Sequence, residues 1–140
     1  MSASVRFTSR VKLLLTTAAL YLAAIGVALL VVPVQFGVDA VPADASPELV
    51  ALLRLLGGPF LGIAVLNWTS RTADAASGLR PVLLANLVGF GFVAANDIVG
   101  VLTGEARDLA RIFLVVHVLF AAGFAAALVR GPSRVNESWR

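Results

Sequence analysis

Residues 13–32 have the sequence LLLTTAALYLAAIGVALLVV, which contains no charged side chain. An α-helix rises about 1.5 Å per residue, so a run of about 20 residues covers roughly the 30 Å of a bilayer's hydrocarbon core. Lipid offers the backbone no hydrogen-bond partners, and a single segment can satisfy its own backbone there only as a helix. This stretch therefore predicts a transmembrane helix.

The segment before this stretch is basic, as the start of a secretory signal would be, with Arg6, Arg10 and Lys12. Ala43-Asp44-Ala45 also resembles a cleavage site. Signal peptides have an apolar core of about 7–15 residues and are cut soon after it. The apolar run here is longer and the Ala-Asp-Ala motif lies far beyond it, so we expect the helix to be retained.

Three more apolar stretches follow, at about residues 49–68, 81–102 and 109–129. The chain as a whole is 59% hydrophobic and 14% charged, whereas soluble domains have about 25% charged residues. So apolar a chain of this length would precipitate in water. We therefore predict an all-α protein in which residues 1–140 form one domain, a four-helix transmembrane bundle.

Short polar motifs predict where the helices begin and end. Ser46-Pro47-Glu48 combines an N-cap residue, a first-turn proline and a first-turn acid, and it should open the second helix. The other signals are Pro33 after the first stretch, Ser77-Gly78 and Pro81 before the third, Thr103-Gly104 after it, Asp108 as N-cap of the fourth and Gly131-Pro132 at its end. We expect residues 33–47 to form a plain connector, with a small cap over the bundle as the alternative.

Basic residues fall mainly on one side of the predicted bundle. That side carries Arg6, Arg10, Lys12, Arg71, Arg80, Arg130, Arg134 and Arg140. The other side carries Arg107 together with the acids Asp39, Asp44, Glu48, Glu105 and Asp108. Because cytoplasmic loops are enriched in Lys and Arg, this distribution predicts that both termini are cytoplasmic.

Residue counts exclude several classes of site. The chain has no cysteine, which rules out disulfides, thiolate zinc sites and iron–sulfur ligation by its own residues. Its one histidine, His117, cannot form a bis-histidine haem site within one chain. No catalytic or nucleotide-binding motif is present, and we expect neither a metal nor another cofactor. The net charge of +3 comes from residues that flank the apolar stretches, so we expect no nucleic-acid partner.

Three ionisable side chains lie inside the apolar stretches, where charged groups are costly and usually have a function. They are Arg54 in the second stretch, Asp97 in the third and Arg111 in the fourth, and Asn96 and His117 add polarity nearby. At about 1.5 Å per residue, Arg54 and Asp97 both lie roughly 8 Å inside the same side of the bundle. We therefore expect Asp97 to pair with Arg54.

This polar cluster has three interpretations: a structural clasp between two helices, the lining of a pocket for a polar or anionic headgroup, and a proton or ion relay. Arg111 alone has a simpler explanation, since arginines near helix ends extend their charge to the membrane surface. His117 either donates a hydrogen bond to a neighbouring helix or serves as an acid or base in a pocket.

Angular positions on the third helix place Asn86 on the same face as Asp97, because a helix turns about 100° per residue. Such a polar face must contact protein or water. Asn67 points away from Arg54, and we expect it at the inner membrane interface. We accordingly expect Asp97→Asn to destabilise the bundle more than Asn67→Ala, because it leaves Arg54 unpaired.

The second stretch also contains Gly58 and Gly62, a spacing of small residues that lets helix backbones approach closely. We expect these glycines to pack within the bundle, with a dimer face as the alternative. Pro59 between them removes one helical hydrogen bond and should kink the helix.

The segment Leu53-Arg54-Leu55-Leu56-Gly57-Gly58, in a chain of four short apolar helices, resembles the DoxX-like group of small bacterial membrane proteins. Asp97 is similar in kind to a polar position that such proteins often carry. The resemblance implies a four-helix fold in the bacterial cytoplasmic membrane. It also implies a role linked to quinone-dependent sulfur oxidation or to membrane stress, and any redox role would need a partner subunit.

Two functions are compatible with these features. The first is a non-enzymatic accessory protein that contacts membrane lipids and either a membrane-protein partner or a second copy of itself. The second is a binder of a lipid, quinone or similar amphiphile in a pocket near Arg54, Asp97 and His117, with isomerase- or redox-type chemistry as an extension. A cavity among the last three helices would favour the second function, and fully paired polar groups without a cavity would favour the first.

Overall fold

The structure is a computed structural model that describes residues 2–72 and 79–130, with side chains from residue 9 onward. Its elements are α1 (Ser2–Val31), α2 (Pro33–Phe36), α3 (Pro47–Ser70), α4 (Leu79–Thr103) and α5 (Ala110–Val129). Four of them have the length and hydropathy that a membrane crossing requires, and in α1 this part is Ser9–Val31. The prediction of an all-α chain with four membrane-length helices is therefore confirmed.

The outer surface of these helices is strongly apolar. Large side chains such as Leu55, Phe92 and Leu102 are 71%, 74% and 80% exposed. A soluble monomer rarely exposes apolar patches wider than a few hundred Å². Large apolar side chains are exposed all around these helices, which is instead typical of a surface that faces lipid.

Most of the predicted helix boundaries are confirmed. The Ser46 hydroxyl accepts a hydrogen bond from the Leu49 amide at 3.3 Å and so caps α3. Gly104 follows α4 with a φ of +74°, a left-handed conformation that glycine adopts without strain. Asp108 as the N-cap of α5 is wrong, because Leu109 occupies that position and no side chain caps the helix. The signals at Ser77-Gly78 and Gly131-Pro132 lie outside the described residues.

The long connector is more structured than we predicted. Pro33 occupies the first turn of α2, a single helical turn that packs against both α1 and α3. The chain then folds back on itself, with the amides of Ala40 and Val41 donating to the Gly37 carbonyl. The connector therefore caps one end of the bundle, here called the α2 end.

The bundle consists of two helical hairpins. One pairs α1 with α3 and the other pairs α4 with α5, and contacts between the hairpins are sparser than contacts within them. In the first hairpin α1 and α3 approach closely at Gly26 and Gly57, where a Cβ on Gly57 would lie 2.7 Å from the Gly26 carbonyl oxygen. Only glycine fits there, because a methyl group would collide with backbone.

Gly58 and Gly62 do not pack within the bundle, and that prediction is wrong. Both are exposed, and a Cβ on either would meet nothing within 4 Å. The close contact uses the neighbouring Gly57 because its face of α3, about 100° from that of Gly58, is the one turned toward α1. Pro59 lies on the exposed side as well, and α3 continues through it to Ser70.

The two hairpins join through an apolar core at the end of the bundle opposite α2. Leu15 and Phe124 are completely buried there, and Leu83 and Ala64 pack in the same cluster. Between this core and the α2 end the hairpins leave a space, whose wall on α4 extends from Ala85 to Asp97.

Candidate functional site

A cavity of about 420 Å³ lies between the two hairpins. Small-molecule sites in proteins commonly enclose about 300–1,000 Å³. Its walls are mainly apolar and come from every helix and from the α4–α5 loop. The lining residues are Tyr21, Leu22, Ile25, Phe36, Phe60, Ile63, Ala85, Asn86, Gly89, Phe90, Val93, Asp97, Arg107, Ala110, Phe113 and His117.

The cavity is elongated along the bundle. On α4 its lining begins at Ala85 and ends at Asp97, and this separation corresponds to roughly 18 Å of helix. Asn86 and Asp97 both line it, which confirms that the polar face of the third predicted helix faces the interior. The cavity is therefore long enough for an extended apolar chain as well as a headgroup.

Three polar side chains in the wall form a continuous hydrogen-bonded series, here called the polar chain. His117 Nδ1 lies 2.6 Å from Asp97 Oδ2, and His117 Nε2 lies 2.7 Å from the Tyr21 hydroxyl. His117 and Asp97 are little exposed, at 11% and 15% of their side-chain surfaces. The series crosses the space between the hairpins, since Tyr21 belongs to α1 whereas Asp97 and His117 belong to α4 and α5.

Aromatic rings surround the polar chain. Phe113 stacks on the His117 ring at 6.1 Å between centroids, and Phe90 lies at the same distance with its ring tilted. Tyr21 packs against Phe120 at 5.5 Å. These rings surround the imidazole with apolar surface, and hydrogen bonds are electrostatically stronger in such a low-dielectric setting.

Arg107 closes the α2 end of the cavity. Its Nη1 donates to the carbonyl oxygens of Phe36 at 2.7 Å and Val38 at 3.1 Å. Its guanidinium also lies over the rings of Phe36 and Phe113, at 5.6 and 5.5 Å from their centroids. Arg107 thus ties the connector of the first hairpin to the loop of the second, directly across the cavity.

A second polar contact joins the hairpins deeper in the bundle. Asn67 and Asn86 exchange two side-chain hydrogen bonds, of 2.8 and 2.7 Å, and Asn86 Nδ2 also donates to the Val82 carbonyl at 2.8 Å. Asn67 is completely buried, and the α3 face that carries it turns toward α4. Its place near the inner membrane interface stays a prediction.

The predicted ion pair between Arg54 and Asp97 is wrong. Asp97 pairs with His117, whereas Arg54 is exposed and makes no hydrogen bond or ion pair with any residue that the structure describes. Arg111 and Asn96 are exposed too and do not line the cavity. Of the five predicted site residues, the fold therefore brings together Asp97 and His117.

Sequence reasoning missed two residues of the site. Tyr21 is the only tyrosine of the chain and lies in the middle of an apolar stretch, a position where its hydroxyl needs a partner. That signal was available and pointed to the single histidine. Arg107 was counted only as a loop charge, because nothing in the sequence shows that the connector folds over the bundle.

The site has hydrogen-bonding chemistry and no metal-binding chemistry in its described part. Among residues 2–72 and 79–130, no group of three or more His, Asp or Glu side chains is placed to hold a metal ion. The polar chain instead offers a carboxylate, an imidazole and a phenol in one line. Such a line can orient a ligand or accept a proton from it.

Comparison of the chain with protein-family models, curated proteins and solved structures found no match. The resemblance to the DoxX-like group therefore stays a prediction. The cavity and its polar chain are the features from which function can be argued.

Proposed function

We propose that this small membrane protein binds an amphiphile, a lipid, quinone or molecule of similar form, in the cavity between its hairpins. The observation that carries this proposal is the cavity itself, which has the volume of a ligand site and a polar chain in an otherwise apolar wall. A scaffold held together by helix packing would have no need to keep such a space open, since empty apolar volume destabilises a bundle.

The distribution of polarity supports a ligand with a headgroup and a tail. Asp97, His117 and Arg107 line the half of the cavity near the α2 end. Ile63, Phe60 and other apolar side chains line the rest. A headgroup at the polar chain would leave its tail along this apolar wall and in contact with surrounding lipid.

The ligand site belongs, in this proposal, to a bacterial cytoplasmic membrane, with both termini on the cytoplasmic side. The uneven distribution of basic residues supports that orientation. The α2 end, and with it Arg107, would then face the outer leaflet. The amphiphile would enter from there.

Native mass spectrometry of the protein released gently from its own membrane tests the proposal. The wild-type protein should carry a discrete extra mass in the small-molecule range. Gly89→Leu should lose this mass, because Gly89 lines the cavity and a Cβ there has open space in front of it. The leucine side chain would therefore extend into the space of the cavity, with no atom of another helix within 4 Å of its Cβ.

Gly91→Leu is the matched control. Gly91 lies on the same helix, also has open space around its Cβ position, and does not line the cavity. Both changes improve helix propensity equally. Retention of the mass by Gly91→Leu and its loss from Gly89→Leu would support the cavity as the site. A wild-type protein without a bound small molecule, or equal retention by both variants, would contradict it.

An accessory role is the second candidate, and one observation favours it. Gly58 and Gly62 lie one turn apart on an exposed face of α3, the spacing that lets another transmembrane helix approach closely. A partner helix or a second copy seated there would be displaced by Gly62→Leu. The same native spectra measure this, because the assembly would appear as a protein-sized mass that Gly62→Leu removes and Gly91→Leu keeps.

A further inference from the structure

The hydrogen-bond donors and acceptors of the cavity wall differ in how many of them already have a partner. Asn86 Nδ2 has two hydrogens, and both are bonded, one to Asn67 and one to the Val82 carbonyl. Asp97 Oδ1 accepts no hydrogen bond from any described residue, since the contact to His117 uses Oδ2. Arg107 at the α2 end has N–H groups beyond the two bonds of its Nη1. The rest of this wall therefore has spare acceptors and no spare amide donor.

The direction of the polar chain extends this pattern to Tyr21. A carboxylate only accepts hydrogen bonds, so the 2.6 Å contact places the proton on His117 Nδ1. In a neutral imidazole the other nitrogen then carries no proton and accepts. With the imidazole neutral, the Tyr21 hydroxyl donates to His117 Nε2. Its oxygen then has lone pairs free to accept a hydrogen bond, and Tyr21 lines the cavity.

We propose that the amphiphile bound in this cavity has a hydroxyl headgroup, which donates its hydrogen to the Tyr21 oxygen. This inference rests on the proposed function and specifies its ligand. A headgroup with acceptors alone, such as a quinone or an ether, finds no donor at the polar chain. Its reduced, hydroxyl-bearing counterpart does find an acceptor there, so the polar chain favours a hydroquinone or phenol over the corresponding quinone or ether.

Charge and shape in the site agree with a neutral aromatic headgroup. Arg107 at the α2 end and Asp97 in the wall carry opposite charges, so the lining has no net charge that would select an ion. Phe90 and Phe113 flank the His117 ring and also line the cavity, which provides flat apolar surfaces beside the Tyr21 oxygen. A phenol ring can stack on such surfaces while its hydroxyl reaches the tyrosine.

A matched pair of probes tests the inference on the full chain in lipid nanodiscs. The probes are 4-dodecylphenol and its methyl ether, which differ in whether the oxygen carries a hydrogen. Isothermal titration calorimetry of the Gly89→Leu variant measures the heat of probe partition into the lipid. This heat is subtracted from the wild-type signal. We expect the wild type to bind the phenol about tenfold more tightly, the usual consequence of one unmatched buried polar group.

Tyr21→Phe removes the proposed acceptor, so the preference for the phenol should fall close to one. An unchanged preference would place the hydroxyl on Asp97 Oδ1, the other free acceptor of the lining, and would overturn the assignment to Tyr21. Thr17→Val is the control, because it removes a hydroxyl from the same helix that bonds only to the Leu13 and Leu14 carbonyls and does not line the cavity. The ratio of phenol to ether affinity in the wild type tests the inference even if Tyr21→Phe does not fold. Equal binding of the two probes, or tighter binding of the ether, would overturn the inference while leaving the cavity a ligand site.

Failure of the proposed function has a different signature in the same experiment. If Gly89→Leu and the wild type bind both probes equally, neither probe occupies the cavity, and the proposed function and this inference both fall. If Gly89→Leu loses both probes, the cavity is a site and only the phenol-to-ether ratio remains to be judged.

The direction of the polar chain has its own measurement, which needs no ligand. The chain contains one histidine, so ¹⁵N-histidine labelling gives the two ring nitrogens of His117 alone. We expect a protonated Nδ1 and an unprotonated, hydrogen-bonded Nε2. A proton on Nε2 would mean that Tyr21 accepts from the imidazole and directs its own hydrogen into the cavity, and this result would overturn the hydroxyl assignment.

Discussion

The paired amides of Asn67 and Asn86 allow a quantitative test of how the hairpins are held together. Replacing Asn67 with leucine keeps the side-chain volume similar and removes both hydrogen bonds between the two residues. Asn86 keeps its bond to the Val82 carbonyl, so only its Oδ1 and one hydrogen lose their partner. Asn86→Leu should cost more, because it leaves the whole amide of the completely buried Asn67 without a partner.

The magnitude follows from interhelical hydrogen bonds measured in membranes, which contribute about 0.6 kcal/mol on average and at most about 1.7. Loss of two such bonds therefore costs roughly 1–3 kcal/mol. Replacing both residues with leucine leaves no polar group unmatched and should be much less damaging than the sum of the single changes. We expect a coupling free energy of about 1–2 kcal/mol between Asn67 and Asn86.

The assay is equilibrium unfolding by sodium dodecyl sulfate in mixed micelles, followed by far-ultraviolet circular dichroism, for the wild type, both single variants and the double variant. Asp97→Asn provides the comparison. An asparagine there still accepts from His117 Nδ1, so it should destabilise less than Asn67→Leu. The same argument reverses the order expected from the sequence for Asp97→Asn and Asn67→Ala, since alanine at residue 67 also removes both hydrogen bonds. Additive effects of the two leucines, or Asp97→Asn as the more damaging change, would refute the reasoning.

Three further results are expected. Gly57→Ala should destabilise the bundle by about 1–3 kcal/mol in the same unfolding assay, because its Cβ would lie 2.7 Å from the Gly26 backbone oxygen, whereas Gly58→Ala should be neutral or stabilising. Arg107→Gln should accelerate amide hydrogen exchange in residues 33–41 severalfold, with exchange in the core helices as the unchanged reference. A cysteine at Asp44, in a chain that has no other, should react with an impermeant maleimide added to intact cells, and reaction of a cysteine at Ser138 instead would contradict the proposed orientation.

The helices were predictable because their signals are local. An uncharged run such as residues 13–32 needs no knowledge of the rest of the chain to be assigned to a membrane helix, and the cap at Ser46 depends on residues three positions apart. Polarity on α4 was also predictable, since a helix returns Asn86 and Asp97 to one face. Each of these predictions uses distances within a single element.

Pairing across helices was not predictable by the same means. Arg54 and Asp97 share a depth and have opposite charges, and these two facts suggested an ion pair. They do not fix how α3 and α4 are rotated about their axes. The rotation is set by the close contact of Gly57 with Gly26, which turns Asn67 inward and Arg54 outward. Asp97 then pairs with His117, the residue that does face it.

Each level of the bundle has one polar contact that bridges the hairpins, and together these contacts explain why a cavity persists between them. Asn67 and Asn86 fix the separation near the apolar core, Tyr21 and His117 fix it at mid-height, and Arg107 spans it at the α2 end. The asparagine pair is buried and the Tyr21–His117 contact is partly buried. Arg107 instead holds two backbone carbonyls of the connector, at Phe36 in the one-turn helix and at Val38. A short element with few buried contacts opens at lower free energy than the core. The α2 end is therefore the part of the bundle that should separate most easily while the polar chain and the asparagine pair stay in place. In the proposed function, the amphiphile would enter there without loss of the site that receives it.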